Sequence, residues 1–398
     1  MKRMIVLIIC LVLLFCSCGR PQTEETGDEK YANIASSGIW ISFSEINRML
    51  VSNQGFETEL GKAVENCAQL GIDNIYIHVR SYCDSLYPSE YFPLIDKANN
   101  CDYDVFEKII TAFHEKNIKV HAWINPYRVL TSSDDIEDLN HDSPAYKWLK
   151  DSDPDNDLNV CFYKGIYLNP SQSEVRRLIL DGIKEIIASY DVDGIHFDDY
   201  FYPTQTADFD KESYDKYIEE TQVPLSLDDW RRANVNALIS SCYSAIKYQN
   251  EDIEFSVSPA ASLSKNYDEY YADIEEWIEG GYIDTIIPQL YFGFEYKDPD
   301  FRFDSLLEEW KTVCRDTDVK LLIGLGPYKI GTDAEADGTE WQTDTDIIAR
   351  QAEMCYKDSI AEGYVLFSYS FVFSDEELNI KQKDNLLRFI NSANSEVK

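Results

Sequence analysis

Between residues 38 and 390 the chain alternates eight times between a short apolar run and a longer run with helical spacing. The strand-like runs are 38–43, 72–79, 118–124, 192–198, 253–258, 283–291, 319–325 and 364–369. The helix-like runs are 57–70, 103–116, 175–190, 233–248, 271–279, 303–314, 344–360 and 376–390, with Gly71 and Gly363 read as stops after the first and the seventh. Strict alternation predicts a parallel sheet with right-handed crossovers, and eight units close it into a (β/α)8 TIM barrel. An open doubly-wound sheet is the runner-up. It carries a Gly-rich phosphate turn after its first strand, where this chain has Phe43-Ser44-Glu45-Ile46. Pro288, inside the sixth run, predicts a bulge or a missing ladder bond.

The connections are uneven. Those from helix to strand are short, whereas those from strand to helix are long: 80–102, 125–174, 199–232, 259–270, 292–302 and 326–343. In a barrel these long loops share the C-terminal face, where active sites lie. Loop length therefore points to an enzyme.

The N-terminus lies outside this pattern. Lys2 and Arg3 precede an apolar run over 4–15, followed by Cys16-Ser17-Cys18-Gly19. A basic start, a short apolar core and a small-residue exit describe a secretory signal, too short to span a bilayer comfortably. The cysteine after Ser17 favours a lipoprotein signal over 1–18 with Cys18 lipidated. Residues 19–36 are polar and read as a flexible tether, leaving 37–395 as the barrel. The expected place is the bacterial cell envelope, periplasmic or surface-exposed, with membrane contact only through the lipid.

The whole chain has 36 basic and 72 acidic residues, a formal charge of −36. Such a surface repels nucleic acid and anionic membrane, so neither is an expected partner. It is neutral about sugars, and 27 Tyr, 19 Phe and 7 Trp give aromatic faces to spare, although most aromatics fill cores. The seven cysteines after Cys18 are odd in number and lack C-x-x-C spacing, so neither a metal site nor a disulfide framework is indicated; a single Cys83–Cys101 pair is conceivable in an exported chain. No H-E-x-x-H is present, and no metal or cofactor is expected.

The chemistry concentrates at 192–203, Val-Asp-Gly-Ile-His-Phe-Asp-Asp-Tyr-Phe-Tyr-Pro. Two adjacent carboxylates at a strand end have poor structural reasons to be there. Strand parity turns Ile195 and Phe197 outward to the helices and His196 and Asp198 inward. Asp198 is thus the first catalytic candidate. Asp199, on the other parity, turns inward only if the backbone kinks. The remaining strand ends carry groups suited to sugars: Arg80 and Asp84, His121, Trp123, Asn125 and Arg128, Gln289 and Tyr291. Tyr200 and His196 join them. Amides and imidazoles hydrogen-bond hydroxyls, and Trp123 and Tyr291 can stack on pyranose faces. Glycoside hydrolysis uses two carboxylates, one an acid and one a nucleophile or base. Asp198 supplies one; Asp199, Glu45, Asp84 and Glu295 are candidates for the other.

The segments RSYCDSLYP (80–88), HAWINPYR (121–128), Leu168-Asn169-Pro170, DGIHFDDYFYP (193–203) and PQLY (288–291) resemble the bacterial glycosyl-hydrolase-like 10 lipoproteins. The resemblance runs in order along most of the mature chain. It implies a (β/α)8 barrel, an exported lipoprotein and a glycosidase-type site, with cell-wall glycan strands as the substrate hypothesis. A looser similarity joins 193–200 to the chitinase strand D-G-x-D-x-D-x-E, with His196 in place of an Asp and Tyr200 in place of the catalytic Glu. The expected protein is a monomeric exported glycoside hydrolase acting on a polysaccharide, with peptidoglycan strands as the hypothesis that the resemblance supplies. The alternatives are a catalytically inactive glycan-binding lipoprotein and a metal-dependent hydrolase.

Overall fold

The computed structural model describes residues 36–396. The expected signal, the lipidation at Cys18 and nearly all of the tether lie outside the described residues.

Eight parallel strands close a barrel. They are β1 (Ser36–Ile41), β2 (Asn74–Arg80), β3 (Lys119–Ile124), β7 (Gly194–Phe197), β8 (Glu254–Val257), β9 (Thr285–Ile286), β10 (Lys320–Leu325) and β11 (Ala361–Leu366). Each pairs with its chain neighbour in the barrel, and β1 closes on β11, with Ile39 opposite Leu366. The missing numbers belong to the loop after β3. There β4 (Arg128–Leu130), β5 (Val160–Phe162) and β6 (Ile166–Leu168) form a small antiparallel sheet in the order β4-β6-β5. Sequence patterning gave no warning of it, because runs of three residues are too short to show a period.

The helices form where an apolar stripe meets a cap. In Val105–His114, Asp104 accepts from the backbone N–H groups of Phe106 (3.0 Å) and Glu107 (3.2 Å). Phe106, Ile109, Ile110 and Phe113 then fall on one buried face. In Ser173–Ser189, Val175, Ile179, Ile183 and Ile186 are fully buried against the strands. Each such side chain contributes about 1.5–3 kcal/mol. The outward strand residues Ile195 and Phe197 belong to this strand–helix layer, as parity requires.

Several boundaries differ from expectation, three of them for a visible physical reason. The helix placed at 233–248 spans Leu227–Gln249, because Ser226 caps it by accepting from the Asp229 N–H at 3.2 Å. The helix expected to stop near Gly363 ends at Tyr356; Asp358 then accepts from Ile360 (2.7 Å) and Ala361 (3.0 Å) in a turn, and Gly363 lies inside β11. Glycine is required at that position, since a Cβ there would meet the Ser36 carbonyl oxygen at 1.8 Å. The sixth strand shrinks to two residues. Pro288 has no N–H for the ladder, although its carbonyl still accepts from Gly324 at 2.9 Å.

The barrel interior is aromatic. Trp40, Tyr76, Trp123, Ile287, Leu322 and Val365 form a second core inside the strands, with Phe367 against it. His121 fits beside Tyr76, their ring centroids 4.6 Å apart, only because Gly194 lies opposite: a Cβ on Gly194 would meet His121 Nδ1 at 2.2 Å. The seven described cysteines are free thiols, Cys83 and Cys101 included.

Candidate active site

A cavity of about 330 Å³ opens at the C-terminal end of the barrel. Its walls come from the ends of the strands and the residues just beyond: Trp40 on β1 with Ser42 and Phe43 after it, His78 on β2, Trp123 on β3, Asp198, Asp199 and Tyr200 after β7, Ser258 after β8, Gln289 and Tyr291 after β9, Tyr328 and Phe367 after β10 and β11, and Arg128 from β4.

Asp198 is 4 % exposed and tightly held. Its Oδ2 accepts the Trp123 indole N–H at 3.2 Å and an N–H of the Asn125 amide, and its Oδ1 accepts the Tyr200 backbone N–H at 3.3 Å. Asn125 is fixed in turn, because its Oδ1 accepts from His78 Nε2 at 2.7 Å. That bond places the His78 proton on Nε2 and leaves Nδ1 buried without a partner. The His78 ring lies flat on Trp123, with centroids 3.8 Å apart and planes at 9°. Burial, and then the Arg128 charge, hold the His78 imidazole well below its usual range, so it is neutral.

Both acids reach the cavity. Asp199 was expected inside only through a kink. It lies two residues beyond the end of β7, where strand alternation no longer applies. Burial, reinforced by the charge of Asp198, pushes the Asp199 carboxyl up to about 7. Hydrogen bonding to Gln289 and the Arg128 charge oppose that rise. Burial raises Asp198 as well, against the pull of Arg128, Asn125, the Tyr200 N–H and Trp123. The donors converge on Asp198, so the pair loses its first proton there, and that charge delays the second. The Arg128 guanidinium carbon lies 4.0 Å from the Tyr200 ring centroid and 5.7 Å from that of Tyr82.

Of the residues expected to bind substrate, Trp123, Arg128, Tyr200, Gln289 and Tyr291 line this cavity. Asn125 stands behind Asp198 and orients it. Asp84 lies in an adjoining cavity. Three are placed elsewhere. Arg80 is 1 % exposed and faces the helix layer, its guanidinium 3.7 Å from the Phe92 ring centroid and next to Gly182. A register shift between His78 and Arg80 in the pairing of β2 with β3 reverses its parity. His196 points inward as expected but one layer too deep. Its Nε2 accepts from Trp40 Nε1 at 3.0 Å and its Nδ1–H donates to Ser256 Oγ at 2.8 Å. His121 lies deeper still, bonded through Nε2 to Asn74 Oδ1 at 3.2 Å.

The other proposed second acids are occupied or remote. Glu45 is 2 % exposed and ties the end of β1 to the segment after β11, accepting from Ser42 N (2.6 Å), Ser368 Oγ (2.9 Å) and Ser370 N (2.6 Å). Glu295 packs against Gly338, away from the cavity. Trp123 is less open than expected, since His78 covers one face, and Tyr291 stacks on Phe367 at 5.6 Å. Trp40, Ser42, Phe43 and Phe367 were not anticipated; the parity argument used for 192–198 would have turned Trp40 inward had it been extended to the first strand. Among the described residues, no three of His, Cys, Asp and Glu converge as a metal-holding group.

Comparison with known proteins gives a consistent picture. Glycosyl hydrolase YngK of Bacillus subtilis (strain 168) is 29 % identical over 358 residues, covering 83 % of this chain and 67 % of its own. Glycosyl hydrolase DigH of Escherichia coli (strain K12) is 28 % identical over 433 aligned positions, covering 97 % of this chain and 95 % of its own. Among solved structures, the PgaB (BpsB) glycoside hydrolase domain from Bordetella bronchiseptica superposes with a TM-score of 0.60 at 12 % identity, covering 87 % of this chain and 98 % of that one, a likeness of fold. The family model described as glycosyl hydrolase-like 10 matches residues 36–343, and the chain belongs to that family.

Proposed function

We propose that the protein is a glycoside hydrolase that cleaves a polysaccharide, with peptidoglycan glycan strands as its substrate, outside the cytoplasm and tethered through Cys18. The observation that carries this reading is the Asp198–Asp199 pair. Two carboxyls share one cavity, and their surroundings separate their protonation: donors gather on Asp198, while Asp199 keeps its proton up to about pH 7. Asp199 gives its proton to the glycosidic oxygen as the C–O bond breaks, and the leaving sugar departs as an alcohol. The Asp198 carboxylate stabilises the positive charge that develops at the anomeric carbon. Water then supplies the hydroxyl to that carbon and the proton that resets Asp199. Arg128 limits the cost of two acids in one buried place, and Tyr291, Phe367 and Trp40 offer apolar walls to the sugar ring. The relatives named as glycosyl hydrolases support the same reaction class. A second acid inside the cavity supports a hydrolase over a glycan-binding protein that has lost catalysis.

The test is digestion of purified cell-wall glycan strands by wild type and by Asp198→Asn, with released fragments counted as new reducing ends. Release by wild type alone is expected. Equal release by both removes Asp198 from the chemistry, and binding without release by either supports the glycan-binding reading.

A further inference from the structure

A second cavity, of about 190 Å³, adjoins the first, and Phe43 and His78 belong to the walls of both. Its other walls include Asn47, Ser81, Tyr82 and Asp84. None of these takes part in the chemistry proposed above.

The cavity sets a polar and aromatic side suited to a sugar against aliphatic walls from Ile46, Val79, Leu86 and Ile95. The rings of Phe43 and Tyr82 meet edge to face with centroids 5.7 Å apart, which offers apolar edges on the side shared with the first cavity. Asn47 and Ser81 supply groups that both donate and accept. Among the described residues, Asp84 is the only carboxylate in the wall. It accepts the Tyr82 backbone N–H at 3.3 Å and, among the described residues, no hydrogen bond from another side chain. Burial raises its carboxyl to about 6. Such a group gains most from a ligand that brings hydroxyl donors. His78 adds a second sign of an unfilled place. Its ring forms part of the partition, and its buried Nδ1 has no partner among the described residues.

We propose that this cavity is a second sugar subsite. A glycan whose scissile bond lies at Asp198 and Asp199 continues past Phe43 and His78, and the neighbouring neutral sugar rests on Tyr82 with its hydroxyls on Asp84. The inference rests on the glycan-cleaving reading of the first cavity and deepens it: the ligand is an oligosaccharide longer than the first cavity holds, and a wall remote from the chemistry contributes to its affinity.

The experiment is calorimetric titration of the full chain with glycan-strand oligosaccharides of increasing length, from the disaccharide upward, using wild type, Asp84→Asn and Asn47→Ala. Turnover of the same oligosaccharides is followed separately. Wild type is expected to gain affinity when the ligand grows long enough to enter the second cavity, and Asp84→Asn to lose about tenfold of that gain, the equivalent of one hydrogen bond to a charged group. Asn47→Ala, at a separate point of the wall, is expected to lose a smaller part. Affinity that does not rise with length in wild type, or a gain that is identical in all three proteins, overturns the subsite. A length-dependent gain lost in Asp84→Asn without turnover by any protein keeps the subsite and overturns the hydrolase reading.

Discussion

Two layers of the same barrel treat polar side chains in opposite ways. In the lower layer, His196 is fully buried and both its nitrogens are used, one by Trp40 and one by Ser256, although Nδ1 of His121 beneath it has no partner among the described residues. Two residues further along the same strand direction, the rim holds two carboxyls raised by burial, a cation stacked on an exposed tyrosine, and Ser258 Oγ buried without a partner. A satisfied polar group inside a barrel fixes packing. A cluster of paired acids, a cation and an unpartnered hydroxyl facing an open cavity of about 330 Å³ is arranged for something that arrives. The same inward parity serves both layers, and depth along the strand decides which of the two a residue does.

That contrast can be broken at several points. The largest effect belongs to the rim: Asp199→Asn removes the proposed general acid, and turnover on glycan strands should fall by about 10²–10⁴-fold with the fold intact by circular dichroism. Retention of full turnover would place the acid elsewhere. Arg128→Gln comes next. Arg128 draws both carboxyls down, so its loss should move the alkaline limb of the pH–rate profile to higher pH and lower kcat/KM by about tenfold. A limb that stays in place would show that Arg128 does not act on the pair.

The lower layer should respond in stability instead. His196→Phe leaves the Trp40 N–H and the Ser256 hydroxyl without their partner, at a cost of about 1–3 kcal/mol. A lower Tm with an unmoved pH–rate profile is expected; a shifted profile would merge the two layers into one site. A second stability effect belongs to Asp199. Its carboxyl is raised from the ordinary 3.8 to about 7, so its contribution to stability is fully present below the ordinary value and is lost as pH rises through about 7. Asp199→Asn should therefore gain stability over wild type as pH rises from 4 to 8, with little difference at pH 4. Thermal melts at the two pH values would contradict this if the variant were weaker at both.

The barrel itself was legible because alternation is a long-range pattern that survives boundary errors of several residues. So was the direction of His196, since its strand is regular to its end, and Asp198, the first residue past that end, still faces the cavity. What the sequence hid was local. A register shift reverses Arg80. Parity gives direction but not depth, so His121 and His196 looked like rim residues although His121 pairs with Gly194, two residues below Trp123, and His196 pairs with Trp123 and Ser256, two residues below Asp198 and Ser258. The strand ends at Phe197, so alternation could not place Asp199. The small sheet that brings Arg128 to the rim has strands of three residues, below the length at which a period can be read. Asp84, first weighed as a possible second acid, has its own cavity and its own proposed task.

The central claim is that Asp198 and Asp199 act as a pair in opposite protonation states. The pH dependence of kcat/KM on glycan strands tests it most directly, measured for wild type and Asp199→Asn. The account predicts a bell in wild type with an alkaline limb near pH 7, set by loss of the Asp199 proton, and no such limb in the residual activity of Asp199→Asn. A wild-type profile flat through pH 7, or the same limb persisting in Asp199→Asn, would contradict it.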